Sequence, residues 1–210
     1  MLFHPAYLPD IRFFAQLAQA ENVLWEKHDH YQKQSFRTRT YIYGANGKLQ
    51  LTIPIKHSGG KKEHQRYDEI LTDTSSHWHM THWKSIVSAY RSSPYFEFYE
   101  DEFVDIFKNP PQRLYDFNMQ LIQIISDCIG IARSTAITSA FAKATDQPDA
   151  RMLIQAKKLK SYNNETYTQV FHEKYGFIEN LSVIDLLFNL GPESLGYLKR
   201  QPVVIEELRN

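Results

Sequence analysis

The segment that leaves this chain least freedom is TYIYGANGKLQLTIPI, from Thr40 to Ile55. Tyr41 and Tyr43 alternate on one side of GANG, and Leu49, Leu51, Ile53 and Ile55 alternate on the other. A repeat of two is the repeat of a strand, whose successive side chains point to opposite faces; a helix could not gather these residues on one side. Asn46-Gly47 suits a tight reversal, because both residues tolerate the backbone angles such turns require. The segment predicts an antiparallel hairpin within a mixed sheet.

Other elements follow at short intervals. LPDIRFFAQLAQAENV places Pro9 in the first turn of a helix with Ile11, Phe14, Ala15 and Ala18 at helical spacing, and VLWE then reads as a short strand. SGGKK reads as a flexible basic loop and YDEILT as a further strand. FYEDEFVDIF is a short helix with carboxylates in its first turn. After Pro110-Pro111, Leu114, Phe117, Leu121, Ile124, Ile125 and Cys128 share one helical face, and Gly130 is placed to cap it. In SVIDLLFNLGPESLGYLKR, Ser182 and Asp185 have the spacing of a capping box, and Gly191-Pro192 closes the first helix. The chain is therefore α/β. It has a mixed sheet with a β-hairpin in the N-terminal half and a mostly helical C-terminal half, in one compact domain over residues 1–210.

Charge narrows the function. Lys plus Arg number 24 and Asp plus Glu number 24, so no overall field draws the chain to nucleic acid or to an anionic membrane. Any phosphate recognition must be local. The single cysteine, Cys128, lies among apolar residues and reads as core, and no apolar run is long enough to span a bilayer. These features give the expectation of a soluble cytoplasmic protein. There is no GxxxxGK[ST], no GxGxxG after a strand, no GxSxG, no CxxC and no HExxH, and so no signature of a P-loop, a Rossmann site or a common serine hydrolase.

Two places concentrate chemistry. SSHWHMTHWKSIVSAYRSSPYF, Ser75 to Phe96, is an amphipathic helix stopped by Pro94, and its apolar face holds Trp78, His79, His82, Trp83, Ile86 and Tyr90. His82 is one turn from both Trp78 and Ile86. It is either a core histidine satisfied by its neighbours or a base kept neutral by burial. HDH at 28–30 and HWHMTH at 77–82 also contain metal-ligand residue types, although His77 points away from His79 and His82. The second place is WEKHDHYQKQSFRTRTY, where Glu26 ends a strand and Tyr31, Lys33, Arg37 and Arg39 follow in a loop. Arginine offers a planar fork for phosphate or carboxylate, lysine a mobile charge, and Tyr31 a surface for stacking. The same loop is equally an exposed surface neutralised by Glu26 and Asp29.

The order PAYLP, E.H.HYQKQSFRTR, G..LTIPI, W...HW.SI.SAY..SPYFE.Y and YTQVF...GFI.NLSVIDLLFNLGPES resembles the WbqC-like protein family of bacteria. The likeness covers most of the chain and is densest over 5–99 and 167–194. It implies a role in O-antigen and related surface-polysaccharide production, with a glycine transferase acylating an amino sugar as the suggested activity. Carried over by position, it marks Tyr7 and Pro9, Lys33 and Arg39, Trp78 and His82, Tyr90 and Pro94, and Ser182 and Asp185. Two departures stand out. Thr38-Arg39 stands where many relatives have an Asn-Arg pair, and the region between Ile137 and Tyr167 is shorter and more polar than in longer relatives.

Taken together, these readings give the expectation of an acyl or aminoacyl transferase acting on a nucleotide-linked amino sugar. Its partners would be small molecules, a sugar nucleotide and an acyl donor, with no bound metal. Lys33, Arg37 and Arg39 would hold the diphosphate, Tyr7 and Tyr31 would line the sugar, Trp78 would form an apolar wall, and Asp185 would contact substrate. His82 would take the proton from the attacking amine with Glu26 orienting it. Two alternatives remain: a non-catalytic sugar-nucleotide or glycan-binding module, and a metal-assisted hydrolase built on His79, His82 and a carboxylate.

Overall fold

The computed structural model describes residues 1–56, 65–156 and 161–204. The SGGKK segment lies outside them. Parallel and antiparallel pairing are both present, divided between two sheets. The first sheet is parallel, in the order β1 (Leu2–Phe3), β2 (Asn22–Trp25), β5 (Ser134–Ile137). Helix α1 (Ile11–Gln19) makes the crossover between β1 and β2. Its N-cap is Asp10, whose side chain accepts from the Phe13 N–H, so Pro9 stands one residue outside the helix instead of in its first turn.

The predicted hairpin forms from β3 (Arg39–Gly44) and β4 (Gly47–Thr52), with Ile42 opposite Leu49 and Thr40 opposite Leu51. Among the described residues it forms a two-stranded sheet of its own. Its two turn residues are Ala45 and Asn46, and the positive φ falls on Gly47, one place later than an Asn-Gly turn would have it. YDEILT is a 3-10 turn, Tyr67–Glu69, followed by isolated bridges from Leu71 to Arg113 and from Thr72 to Ile55; two residues between bends are too few for a strand.

The helical part follows as α2 (Trp78–Tyr90), α3 (Phe96–Lys108), α4 (Leu114–Ile129), α5 (His172–Tyr175), α6 (Val183–Leu190) and α7 (Ser194–Arg200). Helix α2 begins later than the apolar pattern suggested, because His77 adopts a left-handed conformation, φ 49°, that separates it from a preceding 3-10 turn. Gly130 caps α4 in the left-handed region as expected, φ 82°. The core is aromatic: Trp83 stacks on Phe96 and Phe107, and Phe188 of α6 meets Tyr90, Phe96 and Phe103.

The capping box at α6 does not form. Ser182 Oγ donates to the Leu8 carbonyl, its N–H donates to the Tyr41 carbonyl, and Asp185 turns into the core. In its place the starts of α1 and α6 satisfy each other: the Ile11 N–H donates to Leu181 O at 3.0 Å and the Val183 N–H to Pro9 O at 2.8 Å. This reciprocal cap fixes the Pro5–Pro9 loop, which places Tyr7.

Candidate functional site

The loop leaving β1 borders two clefts. Ala6, Tyr7 and Leu8 face the smaller one, about 270 Å³, with Phe36, Tyr41, Lys48, Arg12, Tyr162 and Asn180 around it. His4 faces the larger, about 1010 Å³, with Asp29, Phe141, Lys143, Asp149 and Arg151. The 3-10 turn Arg151–Ile154 and its extension to Ala156 form the dividing wall: Arg151, Met152 and Gln155 line the larger cleft, Leu153 and Ala156 the smaller.

Behind the smaller cleft lie three of the predicted residues. The Tyr7 hydroxyl is 2.8 Å from His82 Nδ1, and both residues are buried. Trp78 stands edge-on to His82, ring centres 5.1 Å apart, and edge-on to Tyr7 at 6.4 Å, while Phe117 stacks on Tyr7 at 5.9 Å. Burial first, and then the neighbouring His79, lower the His82 pKa to about 4, so the ring is neutral and free to accept. Burial also raises the Tyr7 hydroxyl well above its ordinary value, which keeps it a donor. The cleft pairs cations with rings: Lys48 lies over Tyr41 at 4.5 Å and Arg12 over Tyr162 at 5.1 Å.

Glu26 is elsewhere. It follows β2 directly, as His4 follows β1 and Thr138 follows β5, so the carboxyl edge of the parallel sheet carries all three. Glu26 Oε1 accepts from the His28 N–H at 2.7 Å and from Thr138 Oγ1 at 3.1 Å; Oε2 lies 3.9 Å from Arg151 Nη1 without a hydrogen bond. The hydrogen bonds of Glu26 thus lie apart from the Tyr7–His82 pair, and Glu26 does not orient the imidazole.

The predicted cationic trio is also dispersed. Arg37 is wholly buried. Its Nη1 donates to His30 O, its Nη2 to Asp29 Oδ2 at 2.9 Å and to His4 Nδ1 at 3.0 Å, and its guanidinium covers the Tyr67 ring. Because guanidinium can only donate, His4 Nδ1 must accept, which leaves the proton on Nε2 facing Asp29 Oδ2 at 3.1 Å. Burial and then Arg37 lower His4 to about 4. Burial alone would raise the Asp29 carboxyl, but the hydrogen bonds from His4 and Arg37 hold it far below the usual range. Arg37 is thus an internal strut, not a ligand clamp. Lys33 is exposed, Arg39 and Tyr31 are half-buried, and none of the four lines either cleft.

Asp185 is in the core. Tyr167 donates to its Oδ2 at 2.5 Å and Gln169 Nε2 at 2.9 Å, and burial raises its pKa to about 6 against the pull of those bonds. It ties the 167–178 segment to α6 and touches neither cleft. His79 is occupied as well, 2.6 Å from Phe107 O through Nδ1. Among the described residues no three His, Cys, Asp or Glu side chains converge as metal ligands.

Sequence reasoning missed His4, Arg12, Tyr162, Asn180 and Arg151. His4 carried one available signal, its place beside the PAYLP motif; the others come from segments whose pattern says only polar loop or helix face.

A family model described as the WbqC-like protein family matches residues 4–163. The chain belongs to that family. Among curated proteins, this WbqC-like chain is similar to an uncharacterized protein of Mycobacterium tuberculosis, 24% identical over 220 residues that cover 92% of this chain and 94% of the relative. No solved structure matches it. The matched region takes in both clefts' shared wall and the whole of the Tyr7–His82 pair, and no helix among the described residues is long and apolar enough to cross a membrane.

Proposed function

We propose that this protein acts in bacterial surface-polysaccharide production as an acyl or aminoacyl transferase, with an amino sugar as acceptor in the Tyr7 cleft. The observation that carries the reading is the hydrogen bond between Tyr7, which borders that cleft, and a neutral His82 buried behind it. A cavity of about 270 Å³ suits one sugar ring, and its mixture of aromatic faces and polar groups suits a molecule with apolar C–H faces and hydroxyl edges. Lys48 and Arg12 take the place of the predicted trio as the cations facing an anionic group on the sugar.

In this reading the proton path runs through the hydrogen-bonded Tyr7–His82 pair. The acceptor amine attacks the acyl carbonyl, forming the new C–N bond, and must shed a proton as the donor's leaving group departs. The proton passes to Tyr7 Oη while Tyr7 hands its own to His82 Nδ1, so the hydroxyl begins and ends the step neutral. His82 then releases the proton. No covalent intermediate on the protein is required.

Replacing Tyr7 with Phe tests this directly. It keeps the ring and its packing while removing the relay, so turnover should fall about a hundredfold or more with little change in acceptor affinity. A variant with full turnover would end the transferase reading. A second reading, a non-catalytic sugar-binding module, is favoured by one feature: Glu26 does not reach His82, so no carboxylate supports the imidazole. In that case amino sugars would stabilise the protein in thermal melts, and no donor would yield product.

A further inference from the structure

The larger cleft takes no part in the reading above, yet it occupies the position at which open α/β sheets bind ligands. It lies beyond the carboxyl ends of parallel strands, where no further strand residues fill the space. We infer that this cleft is a separate binding site for a nucleoside phosphate, with the base stacked on Phe141 and the phosphate held by Lys143.

Three observations carry it. Phe141 is 44% exposed in a concave setting, and the Arg151 guanidinium backs its ring at 5.7 Å, so the ring is an open stacking surface made more attractive by a cation beneath. The loop that presents it is held in place: Arg151 donates to the Ala142 and Lys143 carbonyls at 2.6 and 3.1 Å and forms an ion pair with Asp149 at 2.7 Å. The remaining charges are already matched, Asp29 by Arg37 and Asp149 by Arg151, whereas Lys143 and Asp146 have no ion pair among the described residues. Lys143 is thus available to phosphate and Asp146 to sugar hydroxyls. Independently, the Glu26 carboxylate is 1% exposed, lies 3.9 Å from Arg151 Nη1, and has an oxygen with no hydrogen-bond donor among the described residues. A buried acceptor without a donor is costly, and a ligand hydroxyl or amine reaching past Arg151 would supply one.

At about 1010 Å³ the cleft has room for a nucleotide, which the smaller cleft does not. The wall at 151–156 makes the occupant a second molecule, distinct from one seated at Tyr7. An activated donor carried on a nucleotide and a nucleotide effector share this chemistry.

Calorimetry on the full chain separates the outcomes, using AMP, UMP, ribose 5-phosphate and inorganic phosphate as titrants. At least one of the two nucleotides should bind at one per chain, with ribose 5-phosphate and phosphate at least tenfold weaker because they lack the stacking base. Phe141→Ala changes an exposed side chain and should weaken nucleotide binding by about tenfold. Lys143→Ala should weaken it and flatten its dependence on salt. Tyr7→Phe should leave nucleotide affinity unchanged whether or not it abolishes turnover, which separates this inference from the transferase reading. Silence from both nucleotides, equal affinity for ribose 5-phosphate, indifference to Phe141→Ala, or loss on Tyr7→Phe would each overturn it.

Discussion

Tyr7 and His82, 75 residues apart in sequence, meet through a 2.8 Å hydrogen bond inside a box of Trp78 and Phe117. The bond ties the loop after β1 to helix α2 and gives the imidazole a partner where burial would otherwise leave it unsatisfied. It also makes the pair sensitive to acid. His82 is lowered to about 4 when folded, against 6.5 in the free residue, so the unfolded chain takes up the proton first. The resulting stability is complete above pH 6.5 and is lost as the pH falls toward 4, by up to roughly 3 kcal/mol for a shift of this size. Thermal melts of His82→Gln and wild type across that window should converge at the acid end, because the variant lacks this titration. Parallel curves would remove His82 from the account.

Arg37 yields a second expectation. Its forked contacts to His30 O, Asp29 and His4 are all buried, so a lysine in its place would keep the charge and lose the fork. Arg37→Lys should destabilise the chain by about 3 kcal/mol, and Arg37→Ala by more, since Asp29 would then be a buried anion without its cation. Chemical denaturation with an unchanged midpoint for either variant would refute the strut.

Asp185 reverses the usual sign for a carboxylate. Its folded pKa is raised to about 6 from 3.8, so the folded chain binds the proton more tightly than the unfolded chain, and stability declines as the pH rises from 3.8 through 6. Asp185→Asn keeps an acceptor for Tyr167 and removes the charge. Relative to wild type, the variant should therefore gain stability between pH 5 and pH 8, by about 1.4 kcal/mol for each unit of the raised pKa that the window covers. A constant difference in melting temperature across that range would contradict it.

Gly191 offers a steric test. Its φ is 51°, and a Cβ there would lie 2.5 Å from the Tyr95 ring. Gly191→Ala should cost about 2 kcal/mol or more, through both the backbone angle and the displaced ring, and a melting point within 1 °C of wild type would exclude that.

How much of this was legible from residues alone follows from what a local pattern can encode. The hairpin and α4 were readable because repeats of two and of 3.6 are visible within each segment, and because Gly130 must accept a positive φ, although the hairpin register sets the tyrosines and Leu49 on opposite faces and leaves Leu49 exposed. The parallel sheet was mostly not: β1 has two residues, β5 is exposed throughout, and their pairing partner β2 lies far from β5 in sequence. Ser182 and Asp185 had capping-box spacing, but tertiary acceptors and donors, Leu8, Tyr41, Tyr167 and Gln169, took both residues. Arg37 and Lys33 look alike in a polar loop; only the fold decides that one is sealed inside and the other wet. The histidine helix was readable as far as its aromatic neighbours, whereas its partner, Tyr7, required three dimensions.

The reciprocal cap between the starts of α1 and α6 sets an order of events during synthesis. The donors of Ile11 and Val183 are satisfied only by carbonyls on the opposite side of the cap, so α1 emerges from the ribosome with its first turn incomplete and keeps it so until residue 181 has followed. The hairpin can close almost at once, while the Tyr7 loop waits for nearly the whole chain. A nascent or prematurely terminated chain that lacks residue 181 would thus carry β-structure without a formed Tyr7 cleft.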